Sequence, residues 1–173
     1  MNVSFHVVDT NVPLTANNQA EVSKDCVLEC VRSLKEIIEN GGIVLDNQWR
    51  ILGEYLHKLP SMAQPGIGNA FLKWVLTNQA NSERCTLVEI TPKPDDELDF
   101  VEFPEHPGLH DFDRSDRKFV SVSAVHPVHP PILQAADSKW WGWQNALAEC
   151  GIEVVFLCPD EIAEKYAKKM GKH

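Results

Sequence analysis

Residues 5–11 read FHVVDTN, a short apolar run that ends in an acid and is broken by the following TNVP. The same design returns twice, as IVLD (43–46) and as ILQAAD (132–137), so three predicted strands end in aspartate: Asp9, Asp46 and Asp137. Helical spacing separates them. Val27, Cys30, Val31, Leu34, Ile37 and Ile38 form one stripe, and Asn40-Gly41-Gly42 supplies its stop signal. Ile51, Leu52, Tyr55, Leu56 and Leu59 form a second stripe, ended by Pro60, and Ile67, Ala70, Phe71, Trp74 and Val75 form a third. TLVEI (86–90) and EVVFL (153–157) read as strands, KWWGWQNALAECG as a helix stopped by Gly151, and 160–170 as a closing helix whose lysines suit the helix dipole. In KFVSVSAVH the strand and helix periods conflict. The order β-α-β-α-α-loop-α-β-α-β-α predicts an α/β fold, with a mostly parallel sheet covered by helices on both faces. The stretch 91–110, rich in Pro and acid, reads as an irregular excursion within a longer insertion around 77–110.

A chain of 173 residues fits a single domain with a full core, and an apolar content of 43% is that of an ordinary globular protein. No run approaches the roughly 20 apolar residues that span a bilayer, and the start, MNVSFHVVDTN, has no secretory pattern, so no membrane partner is expected. The five cysteines are odd in number and contain no CxxC. They predict a reducing cytoplasm, neither a disulfide framework nor a zinc site, and Cys26 and Cys30 as two small buried residues on one helix face. The net charge of −9 argues against a plain nucleic-acid binder. It does not argue against a carboxylate cluster filled by divalent cations.

Strand-end acids in an open α/β sheet meet at the carboxyl edge, where sites form. Several acids together are costly unless a cation fills the pocket, and oxygen donors without His or Cys point to Mg2+ or Mn2+. A further acidic stretch, LHDFDRSDRKF (109–119), holds Asp111, Asp113 and Asp116. It begins like a calcium loop, but an EF-hand needs Gly and Glu where Asp116 and Val122 stand. A haloacid-dehalogenase-like phosphatase would place a second aspartate where Asn11 stands. HPVHPP (126–131) reads as a rigid surface turn and His6 as a core or edge histidine.

VVDTN (7–11), Glu54 in ILGEY, Asp116 in DRSDRKFVSVSA and Asp137 in AADSKWW together resemble the PIN-domain nucleases, over residues 5 to about 159. The resemblance implies a three-layer α/β/α fold and a metal-dependent endonuclease, foremost an endoribonuclease acting on single-stranded RNA, as a toxin or a defence nuclease. It implies that Asp9, Glu54, Asp116 and Asp137 hold Mg2+ or Mn2+, with Asn11 orienting the acids. Where the family often has a second acid, two residues after Asp137, this chain has Lys139. That departure motivates the alternative of a catalytically weak or inactive module that binds RNA or a protein partner. An antitoxin and a homodimer are the other partners the resemblance allows. Asp46 is a reserve acid, Asp113 a helix cap supporting Asp116, and Asp111 a loop residue. Arg114, Arg117, Lys118 and Lys139 are the cations nominated for substrate phosphate. Trp140, Trp141 and Trp143 read as core at a helix start, with Trp141 or Trp143 as candidates to stack on bases.

Overall fold

The computed structural model describes residues 2–59, 61 and 64–171. Its centre is a five-stranded sheet in the order β3-β2-β1-β6-β7, built from β1 (Phe5–Val8), β2 (Gly42–Asp46), β3 (Cys85–Val88), β6 (Ile132–Gln134) and β7 (Val154–Phe156). Every pairing in it is parallel, with Phe5 opposite Gly42 and Val7 opposite Ile132. Helices flank the sheet, giving the α/β/α three-layer sandwich: α1 (Asn11–Ala16), α2 (Lys24–Asn40), α3 (Arg50–Lys58), α4 (Ile67–Asn78), α5 (Arg117–Val125), α6 (Ser138–Glu149) and α7 (Pro159–Met170). The first, second and fourth of these pack on one another, as do α3 with α5 and α6 with α7. Val7, Val8, Ile43, Val44, Leu45, Ile132 and Leu133 are all buried, as strands covered on both faces must be.

The helix α2 shows how local sequence sets an element. Ser23 caps it by accepting from the Cys26 N–H at 3.2 Å, and Cys26, Cys30, Leu34 and Ile37 form its buried stripe. Its last carbonyls are satisfied from elsewhere: the Arg84 guanidinium donates to Gly41, Ile37 and Ile38 at 2.6–3.0 Å. Gly42 follows because a Cβ there would lie 2.6 Å from the Phe5 ring and 2.8 Å from the Arg84 carbonyl.

Three expectations change. TNVP ends β1 as expected, but it also carries a helix that was not expected. It begins α1 directly, and Pro13 is accommodated because the first turn of a helix leaves its N–H groups unpaired anyway. The excursion is not irregular throughout: β4 (Pro92–Lys93) and β5 (Asp96–Phe100) form an antiparallel hairpin across Pro94-Asp95, turn chemistry that the sequence displays, and turns follow it. Arg117 bonds Asp99 at 2.9 Å and the carbonyls of His110 and Phe112, fastening the hairpin to α5. Finally, the cysteines do form a disulfide, Cys26–Cys158, across a separation of 132 residues. The odd count carried no information about which two would meet.

The period conflict in KFVSVSAVH resolves as helix α5, with Phe119 through Ser123 all buried. The small serines permit this depth because their hydroxyls are paired, Ser121 to the Arg117 carbonyl and Ser123 to that of Pro130. Pro60 lies outside the described residues, and the α3 helix has ended by Leu59. Among the described residues no helix is long and apolar enough to cross a membrane.

Candidate metal and active site

From β1 the chain moves to β2 and β3 on one side, then returns to lay β6 on the other side of β1. The strand order therefore reverses between β1 and β6, and in such sheets the crevice beyond the carboxyl ends at this point is where ligands sit. Asp9 follows β1 and Asp137 ends the short segment after β6. Backbone bonds hold that edge: the Asp9 N–H donates to the Leu133 carbonyl at 3.1 Å and the Ala135 N–H to the Asn11 amide oxygen at 3.1 Å. The Asn11 amide also bonds Gln134, and its own backbone N–H donates to the Asp9 carboxylate at 2.9 Å. Asn11 thus orients Asp9 and ties the two strand ends together.

Asp116 caps α5 by position, and its carboxylate accepts from the Trp140 indole at 3.2 Å. The carboxylates of Asp113, Asp116 and Asp137 offer oxygens that all lie within 4.8 Å of one another. Glu54, on α3, accepts from the Thr10 hydroxyl at 2.6 Å and pairs with Lys58 at 3.0 Å and Lys118 at 3.5 Å. Electrostatics join these groups to Asp9, which is only 6% exposed. Burial pushes its carboxyl well above the usual range, and Asp116, Glu54 and Asp137 push it further, against the Asn11 N–H. Asp116 rises to about 6, through burial first and then Asp137 and Glu54, opposed by Trp140 and Lys118. Glu54 behaves oppositely: burial alone would raise it, but Lys118, Thr10 and Lys58 together bring it below its ordinary value.

Several assignments need correction. Asp113 stands at a cap position, but its side chain makes no capping bond. Its carboxylate instead joins the acidic trio and pairs with Lys139 at 2.9 Å. Lys139 is accordingly bound to the protein's own acid and Arg117 is spent on the hairpin, whereas Arg114 makes only an exposed surface pair with Asp96. Asp46, the reserve acid, is fully buried and accepts from the N–H groups of Arg50 and Ile51 at 3.0 and 2.9 Å, so it satisfies the first two free donors of α3. Asp46→Ala is expected to cost about 2 kcal/mol, or about 4–8 °C of melting temperature. If the acids bind Mn2+, the rise in melting temperature expected from it should be the same in this variant, and its loss would return Asp46 to the site.

Trp140 is buried under Phe112, with ring centroids 5.0 Å apart. Trp143 also packs on Phe112, at 4.4 Å, and Trp141 on Phe156, at 5.0 Å, so both rings nominated for bases already have protein partners. HPVHPP is a turn in which His129 contacts the Ser123 carbonyl. His6 is half-buried on the central strand. Sequence reading missed Thr10, Gln134, Tyr55 and Arg50. Tyr55, fully buried, donates its hydroxyl to the Val8 carbonyl just ahead of Asp9. Arg50 was within reach of pattern reading, since it lies four residues before Glu54 and so on the same helix face.

Around the crevice, five acids (Asp9, Glu54, Asp113, Asp116, Asp137) face three lysines (Lys58, Lys118, Lys139). A divalent cation would balance the remaining charge. The donors are all carboxylate oxygens, the set that fits Mg2+ or Mn2+. Comparison with protein families, with curated proteins and with solved structures finds no match for this chain.

Proposed function

We propose that this protein is a Mg2+- or Mn2+-dependent endonuclease, most simply an endoribonuclease acting on single-stranded RNA. The observation that carries the reading is the cluster of Asp113, Asp116 and Asp137 beside the reversal point of the sheet, close enough to Asp9 that Asp116, Glu54 and Asp137 all raise its carboxyl. A pocket so charged is built for a cation. Asp9, Asp116, Asp137 and Asp113 would hold it, and Glu54 completes the ring of acids. When bound, the metal would supply an activated water and charge stabilisation for in-line displacement at a phosphodiester. The chain's own residues do the rest. Asn11 and Trp140 fix the carboxylates of Asp9 and Asp116, and Thr10 fixes Glu54.

A cavity of about 480 Å³ borders Glu54 and Glu97 and is lined also by Arg50, Arg114, Lys118 and the hairpin residues Leu98 and Phe100. Arg50 lies over the Phe100 ring, and its closest acid is Asp46 at 3.5 Å. In a chain of net charge −9, three cations around one cavity beside the acids are a route for a phosphate backbone. In an Asp9→Asn background, Arg50→Gln or Arg114→Gln is expected to weaken binding of a labelled single-stranded oligonucleotide about 3–10-fold. Each should also lower the salt slope by about 0.7, the value for one lost phosphate contact on a single strand. Unchanged slopes would remove this cavity from the substrate path.

Cleavage of labelled single-stranded RNA and DNA with Mg2+ or Mn2+, beside Asp9→Asn, tests the activity itself. A second reading rests on Lys139, whose ammonium already occupies Asp113. It makes the chain a weak or inactive module binding RNA or a protein, with a lysine partly replacing the cation. Under that reading Mn2+ would leave the melting temperature unmoved.

A further inference from the structure

Three of the five cysteines meet where the last helix joins α2. Cys26 lies in the first turn of α2, Cys30 one turn later on the same buried face, and Cys158 immediately before α7. Cys26 and Cys158 form the disulfide, and all three sulfurs lie within 4.8 Å of one another. A disulfide needs only two of them. Cys30 is completely buried and remains a free thiol against that bond. Cys85 and Cys150, also free, join no such group among the described residues.

We propose that in the reduced protein Cys26, Cys30 and Cys158 form a thiolate site for a soft divalent metal, Zn2+ foremost, so that disulfide and metal are alternative occupants of one place. With Zn–S bonds of about 2.3 Å, tetrahedral geometry sets sulfurs about 3.8 Å apart, so the three need only small shifts once the disulfide opens. A cavity of about 270 Å³ lies over Cys26 and Cys158, lined also by Asp25, Glu29, Asp160 and Glu161. Its carboxylates draw a cation to an entry path and offer a fourth donor. This donor set differs in kind from the oxygen cluster at the sheet edge, and the proposal does not depend on nuclease activity. In the opening step a dithiol transfers two electrons and two protons to the Cys26–Cys158 bond and becomes a disulfide itself. The three thiols then release their protons to solvent as the metal enters. In either state the C-terminal helix stays fastened to α2.

The test uses the whole chain, reduced with a dithiol, loaded with Zn2+ or with Cd2+, and freed of excess metal. Cd2+ reports on sulfur specifically, through thiolate-to-metal charge-transfer absorption that carboxylates do not give. The expected result is about one thiolate-bound Cd2+ per reduced chain, none in the disulfide form, loss of the band in Cys30→Ser and its retention in Cys150→Ser. Bound Zn2+ should also shield Cys26, Cys30 and Cys158 of the wild-type chain from alkylation while Cys150 stays reactive, a measurement that holds even where Cys30→Ser fails to fold. Reduced protein without the band, a band undiminished in a folded Cys30→Ser, or equal alkylation with and without Zn2+ overturns the proposal.

Discussion

Asp9→Asn is expected to lower cleavage of single-stranded RNA by about 10³ or more, while making the metal-free protein more stable. The loss follows if Asp9 contributes about 4 kcal/mol to holding the cation and the transition-state charge, since each 1.4 kcal/mol or so is tenfold in rate. The gain in stability follows from burial. The Asp9 carboxylate is almost wholly enclosed and faces Asp116, Glu54 and Asp137. Asparagine removes that charge but keeps an oxygen to accept the Asn11 N–H, now made at 2.9 Å. Relief of such a functional conflict typically returns about 1–2 kcal/mol, which is about 2–8 °C in a chain of this size. Activity and melting temperature should therefore move in opposite directions, a pattern that general misfolding does not produce. A variant that cleaves as fast as wild type ends the nuclease assignment of this residue. One that melts lower than wild type without metal shows that the pocket is not overcharged.

Without metal, the acids at the site should make the protein more stable as pH falls from about 7 to about 5. Asp116 has an ordinary value of 3.8 and a folded value of about 6, and Asp9 is displaced the same way. An acid raised on folding gives its full stability below the unfolded value, and that stability is lost as pH rises through the folded one. Glu54, depressed on folding, acts the other way, but only where pH falls through its folded value, below 4.5. His6 and His126, both lowered chiefly by burial, oppose the trend as they protonate below 6.5. The reading that isolates the site is therefore the difference between wild type and Asp116→Asn, which should shrink as pH falls through about 6. Mn2+ should reverse the dependence, because protons compete for the same oxygens. At about 100-fold over its dissociation constant the ion adds about 2.7 kcal/mol, or about 5–10 °C, near neutral pH and far less at about pH 5. A Mn2+ shift that is absent, or independent of pH, would place the cation elsewhere or nowhere.

Much of the fold was legible in the chain. The runs ending at Asp9, Asp46 and Asp137 and the helical stripes between them are local patterns, and local patterns of burial are what periodicity records. Asp46 and Asp137 look alike at that level. One turns back to the N–H groups of Arg50 and Ile51, whereas the other lies within 4.8 Å of Asp113 and Asp116. Glu54 has no local mark that separates it from a solvated glutamate; only the resemblance singled it out, and Thr10 and Lys118 now surround it.

The sequence by itself determined the alternation of strands and helices, the acids at strand ends and the stops at Gly and Pro. These depend on residues a few positions apart, whose propensities and periods are written locally. The tertiary structure alone decided that β1 lies between β2 and β6, and so that Asp9 and Asp137 share one crevice. It also decided that Lys139 answers Asp113 and that Cys26, of all five cysteines, meets Cys158. Each of these joins residues 26 to 132 positions apart. What sets them is the order in which strands are laid beside one another, and no local period carries that order.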